Sequence, residues 1–103
     1  MDKRQAFLDL AARLRHETQA ADWAALARTD RQLAGLLASL PADLRLNAAE
    51  QAAYHALRLA HEAARSACAQ AQAQAHERLQ ALCDQRMGWA AYALSNEMQE
   101  ASA

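Results

Sequence analysis

The sequence predicts an all-α fold, an antiparallel three- to four-helix bundle with a long third helix. Three observations carry that expectation. From Ala42 to Met87 the chain runs without a glycine or proline, its single proline being Pro41 and its two glycines Gly35 and Gly88. Apolar residues recur at the helical period of 3.6 along the stretches before Pro41. Residues whose side chains cap helix N-termini, Asp2, Asp22 and Asn47, stand just ahead of these periodic runs. A single domain over residues 1–103 is expected, with helices at about 2–19, 22–40, 47–86 and 88–100.

The first helix begins at Asp2 as cap and places Phe7, Leu10, Ala11 and Leu14 in one narrow arc, with Leu8 at its flank. A short turn at Ala20 and Ala21 follows, and Asp22 opens the second helix. Its apolar stripe reads Trp23, Leu26, Ala27, Leu33, Ala34, Leu36, Leu37 and Leu40. Pro41 stops it, since proline has no N–H to donate and restricts the residue before it. Leu44 and Leu46 in the next loop are expected to plug the end of the bundle.

Asn47 followed three positions later by Glu50 has the spacing of a reciprocal cap and opens the third helix. A helix from there to about Gln85 would be roughly 58 Å long. Its seam reads Leu57, His61, Ala64, Cys68, Ala71, Ala75, Leu79 and Leu82, with one irregular step of the stutter type. Ala67 to Ala75 alternates alanine with glutamine, Cys68 apart, a strand-like period of two, but both residues favour helix. Gly88 bends or ends this helix, and residues 88–100 form either a last short helix or its continuation. The first two helices cover only half of such a length. Beyond about Arg65 the seam then needs either the C-terminal segment folded back on it or a second molecule.

Composition narrows the function. Apolar residues make up 53% of the chain, enough for a core, but alanine supplies much of it and the core should be thin. Eleven basic and twelve acidic residues leave a net charge of −1, without the basic stripe that nucleic acid or an anionic membrane requires. No window reaches the length of a membrane span, and the N-terminus leads into an amphipathic segment instead of a signal-peptide core. A cytoplasmic location is expected. Cys68 and Cys83 are fifteen residues apart on one helix and are read as reduced thiols.

No catalytic, cofactor or metal site is expected. His16, His55, His61 and His76 lack metal-ligand company at useful spacing; His61 and Cys68 share a face but lie about 10 Å apart. Neither cysteine has an arranged base. His55-Ala56-Leu57-Arg58 is similar to the His-x-Leu-Lys core of histidine phosphotransfer domains, which makes His55 a remote alternative site. Leu59 stands where that family carries a small residue. Asp30 falls inside the apolar stripe of the second helix, where an unpaired carboxylate is costly. Pairing with Arg58 or His61 would fix the register, with Trp23, Asp30, Arg58 and His61 as structural residues. If the helix instead breaks at Thr29, whose spacing to Gln32 also fits a cap, Asp30 turns outward.

Ala20-Ala21-Asp22-Trp23-Ala24-Ala25-Leu26, with Asp30 seven residues after the tryptophan and leucines up to Leu40, resembles the second helix of FliT-type flagellar export chaperones. Tyr92, within Gly88-Trp89-Ala90-Ala91-Tyr92-Ala93, sits where that family often has an aromatic. The architectural likeness covers nearly the whole chain and the sharper pattern about twenty residues. The resemblance implies a cytoplasmic chaperone that holds the C-terminal helical part of the filament-cap protein before export and touches the export ATPase. Some relatives also bind a flagellar transcriptional regulator, their last helix covering the binding surface. The periodicity independently points to a seam for a client helix, with Ala64, Cys68, Ala71, Ala75, Leu79, Leu82, Met87, Trp89 and Tyr92 as partner-binding residues. The alternative is a structural homodimeric coiled-coil module that pairs the same seam with a second copy.

Overall fold

A computed structural model describes residues 3–102, with side chains through residue 101. Asp2, the expected cap of the first helix, lies outside the described residues. Three helices are formed, α1 (Lys3–Gln19), α2 (Trp23–Ser39) and α3 (Ala48–Ser102), with no strand among the described residues. The chain divides into two compact units, Met1–Ala69 and Gln70–Ala103.

Helix ends follow from local chemistry. α1 closes with Ala21 at φ 53°, so that the Asp22 N–H reaches the Glu17 carbonyl at 3.0 Å and the Ala21 N–H reaches the Thr18 carbonyl at 3.1 Å. This is the left-handed ending that glycine normally supplies, imposed here on a residue with a Cβ. The Asp22 side chain then accepts the Ala25 N–H at 3.1 Å and starts α2. At the far end Leu40 is extended, as the residue before Pro41 must be, and Ser39 is the last helical residue. α3 opens with the reciprocal cap: the Glu50 N–H donates to Asn47 Oδ1 at 2.8 Å, and the Asn47 N–H donates to Glu50 Oε1 at 3.0 Å. Glu50 Oε2 also accepts the Lys3 N–H at 3.2 Å, so one carboxylate serves the first turns of two helices.

Of the courses left open at Gly88, a separate last helix or a continuation, the chain takes the continuation. α3 runs through it to Ser102, so residues 88–100 belong to the same helix. A lone glycine costs a helix about 1 kcal/mol relative to alanine, too little to interrupt flanks of good helix formers.

Within Met1–Ala69 the core joins all three helices. Phe7, Leu10, Ala11 and Leu14 from α1 meet Leu26 and Leu33 from α2 and Ala53, Leu57, Ala60 and Ala64 from α3. Three of the four α3 residues are alanines, which let backbones approach closely and leave Phe7, Leu14 and Leu57 as the largest fully buried apolar side chains. Phe7 packs edge-on against Tyr54 at 5.6 Å between ring centroids. The Lys3–Glu50 and Phe7–Tyr54 contacts advance together along α1 and α3. Contacts of Arg13 and Glu17 with Thr29 and Gln32, and of Asp30 with His61, are consistent with α2 running opposite to both.

Several expected core positions are not core. Trp23 and Leu37 expose more than a third of their surface, and Ala27 and Ala34 are exposed. In the loop, Leu46 packs on the core but Leu44 is exposed. Asp30 does not lie within the buried line of α2; its side chain is 56% exposed. Thr29 holds that line instead, fully buried between Leu26 and Leu33. One step of about 100° separates the two residues, enough to carry Asp30 to the rim. A hydroxyl tolerates the buried place because it is satisfied on both sides: it donates to Glu17 Oε1 at 2.8 Å and accepts from Arg13 Nη2 at 3.2 Å. Helix α2 is unbroken there, so the cap considered at Thr29 is absent.

Candidate docking surface

The nine residues expected to receive a partner separate into two groups. Ala64 is 3% exposed and Cys68 is half-buried against the core of Met1–Ala69, so the first two are packing residues. That is a correction with a simple cause. Ala53, Leu57, Ala60 and Ala64, at steps of four, three and four, are the buried line of α3, and Ala64 closes it. Ala53 and Ala60 were missed because an alanine among many alanines carries no pattern of its own. His61, placed on that seam, is instead at the rim.

In the unit Gln70–Ala103, Ala71 is half-buried and Ala75 exposed. Leu79, Leu82, Met87, Trp89 and Tyr92 expose between 60% and 71% of their surface. Leu94 and Met98, which the sequence reading did not select, are exposed to the same degree. Their signal was available: Met87, Leu94 and Met98 recur at steps of seven and four, a second line on the helix. Together these residues place seven large apolar side chains in solvent on one helical stretch. Gly88 lacks a Cβ there, and with Gln85, Trp89 and Tyr92 it lines an open notch of about 480 Å³. Cys83 is a free, exposed thiol.

The structural residues behave differently from one another. His61 Nε2 lies 2.8 Å from Asp30 Oδ1, linking α2 to α3. Arg58, the other candidate for that contact, is exposed. Both sit beside an open cleft of about 380 Å³ floored by Leu33, Leu37, Tyr54 and Leu57. His55 is exposed, next to the half-buried Ala56, and Leu59 is also exposed. Among the described residues no three of His, Cys, Asp and Glu gather closely enough to hold a metal ion, and no helix is long and apolar enough to cross a membrane.

No family model, no curated protein and no solved structure matches the chain.

Proposed function

We propose that this chain is a non-catalytic, cytoplasmic export chaperone or adaptor of the FliT type. In this reading Met1–Ala69 is a three-helix bundle with α2 antiparallel to its neighbours, and Gln70–Ala103 receives a helical segment of a secreted client such as the filament-cap protein. The export ATPase and a flagellar regulator are further partners that the resemblance implies. One observation carries the reading: Leu79, Leu82, Met87, Trp89, Tyr92, Leu94 and Met98 are all exposed on one helical stretch. A helix with that much solvent-facing apolar surface is stabilised by a partner that supplies a complementary apolar face, and an amphipathic helix is the simplest such partner. Tyrosine, tryptophan and methionine are also the side chains enriched at protein interfaces.

Deleting the gene in its host and scoring motility and secreted filament-cap protein tests this directly. Secretion should fall when the gene is removed and return with the native gene, but not with one carrying Trp89→Ala and Leu82→Ala together. Undiminished secretion after deletion would overturn the proposal.

A further inference from the structure

Where α2 and α3 meet within Met1–Ala69, α1 sends Phe7, Leu10 and Leu14 into their shared core. A cleft of about 380 Å³ lies open between the same two helices, and its lining comes from α2 and α3 alone. Along α3 it runs from Tyr54 to Arg65, eleven residues or about 16 Å, the length of three helical turns. Its floor is apolar: Leu33 and Leu57 are buried, Tyr54 is half-buried and Leu37 is 38% exposed. On the α2 side the rim holds the exposed Ala34, a side chain small enough to let another backbone approach. The rim on the α3 side is charged. Arg58, Glu62 and Arg65 follow at steps of four and three, within an arc of about 60° on the helix, and all three line the cleft. Each is exposed, and none makes a hydrogen bond or ion pair among the described residues. Asp30, the carboxylate that α2 adds to the lining, is already engaged by His61 at 2.8 Å.

We propose that this groove receives an amphipathic helix of a partner protein, whose flank carries an acidic, a basic and an acidic residue at steps of four and three. Floor and rim each fix part of that chemistry. Apolar side chains spread over three turns match the apolar stripe of an incoming helix, and a helix laid in a groove is held by such anchors. The row of positive, negative and positive charge beside them is complemented by negative, positive and negative. Arg58 and Arg65 stand about 10 Å apart along α3, the rise between acidic residues seven apart on a helix lying alongside. Each guanidinium can grip a carboxylate through two parallel N–H bonds. A single small anion fits less well, because Glu62 stands beside whichever arginine it meets. A helix carrying one sign of charge throughout meets repulsion either from Glu62 or from both arginines. The groove and the distal stretch of α3 belong to different units, and the proposal does not depend on the export reading.

Two acetylated and amidated peptides of about fourteen residues test it. Both carry leucines at steps of four, three and four in an alanine background. Beside that stripe one has glutamate, lysine and glutamate, the other lysine, glutamate and lysine, at steps of four and three. Titrated into the isotopically labelled full chain, the first should shift the amide signals of residues 30–37 and 54–65 and saturate below about 1 mM. The second should bind at least about tenfold more weakly, since three exposed pairs turn from attraction to repulsion. The triple exchange Arg58→Glu, Glu62→Arg and Arg65→Glu should invert that preference. All three sites are exposed and both residue types are good helix formers, so helicity by circular dichroism should stay level. Leu82→Ala with Trp89→Ala should leave binding of the first peptide unchanged, which keeps this test separate from the secretion experiment. The proposal is overturned by the absence of saturable shifts in the groove, by equal binding of the two peptides, or by an uninverted preference in the triple variant. Shifts confined to residues 79–98 overturn it too, as do groove signals that move with chain concentration alone, the mark of a second copy filling the groove.

Discussion

Two lengths of the same helix lead opposite lives. Over residues 48–69, α3 buries Ala53, Leu57, Ala60 and Ala64, three of them alanines; over residues 70–102 it exposes leucine, methionine, tryptophan and tyrosine. The smaller side chains are inside and the larger ones outside. Hydrophobicity alone would have ordered them the other way. What decides is whether the chain itself supplies a complementary surface. α1 and α2 are 17 residues each and provide apolar side chains for a comparable length of a third helix. Alanines suffice where Phe7, Leu10, Leu14, Leu26 and Leu33 come to meet them. Large side chains beyond that length contribute nothing to folding until something else covers them.

Truncating side chains in each region should expose this difference most strongly. Phe7→Ala and Leu57→Ala each remove a fully buried side chain, and each should cost about 3 to 5 kcal/mol and 2 to 5 kcal/mol of stability respectively. Leu82→Ala should change it by no more than about 0.5 kcal/mol, since the residue is already 62% exposed. Urea denaturation at a concentration low enough to keep the chain monomeric measures all three. A loss for Leu82→Ala equal to that for Leu57→Ala would erase the contrast between the regions.

The Thr29 network sharpens the same comparison, because it shows what the covered region demands of a polar group. Thr29→Val keeps the shape but removes the hydroxyl that donates to Glu17 Oε1. Glu17 Oε2 is already buried without a hydrogen-bond partner among the described residues, so the carboxylate would also lose the donor that Thr29 supplies to Oε1. The expected cost is about 1 to 3 kcal/mol. A second substitution, Glu17→Gln in the Thr29→Val background, should recover part of it by removing the charge. If Thr29→Val instead proves neutral, the network adds nothing that packing does not already supply.

How much of this could be read in advance depended on the range of the interaction. Asp22, Asn47, Glu50 and Pro41 act on backbone groups within a few residues, and the ends of α2 and the start of α3 were legible from them. The α1 face was legible too, because Phe7, Leu10 and Leu14 stand out against polar neighbours. Thr29 was not. Its buried place depends on Arg13 and Glu17 from another helix, and a hydroxyl gives no apolar signal. Asp30 was drawn inward by the same omission, although its contact with His61 at 2.8 Å involves one of the two partners considered for it. In the candidate surface, Leu79 through Tyr92 could be chosen from the pattern, whereas the burial of Ala64 and Cys68 depended on how far along α3 the other helices supply contacts.

The smallest expected effects concern two backbone positions that are the wrong way round for stability. Ala21 sits at φ 53°, where a Cβ crowds the following carbonyl, while Gly88 sits inside α3 with no positive φ, and beyond its chain neighbours and the helix's own backbone no atom lies within 4 Å of where a Cβ would stand. Ala21→Gly relieves the left-handed strain but loosens the unfolded chain, and a net gain of about 0.5 kcal/mol is expected. Gly88→Ala has no such opposition: it should strengthen the distal helix by about 0.5 to 1 kcal/mol. The two gains belong to different units and should appear in different readouts. Ala21→Gly should raise the urea midpoint of the covered core. Gly88→Ala should leave that midpoint unchanged and slow amide hydrogen exchange around residues 85–92, because the distal stretch opens locally without unfolding the rest. Were Gly88→Ala to raise the core midpoint as much as Ala21→Gly does, the two lengths of α3 would be one cooperative unit, and the contrast between them would be one of exposure alone.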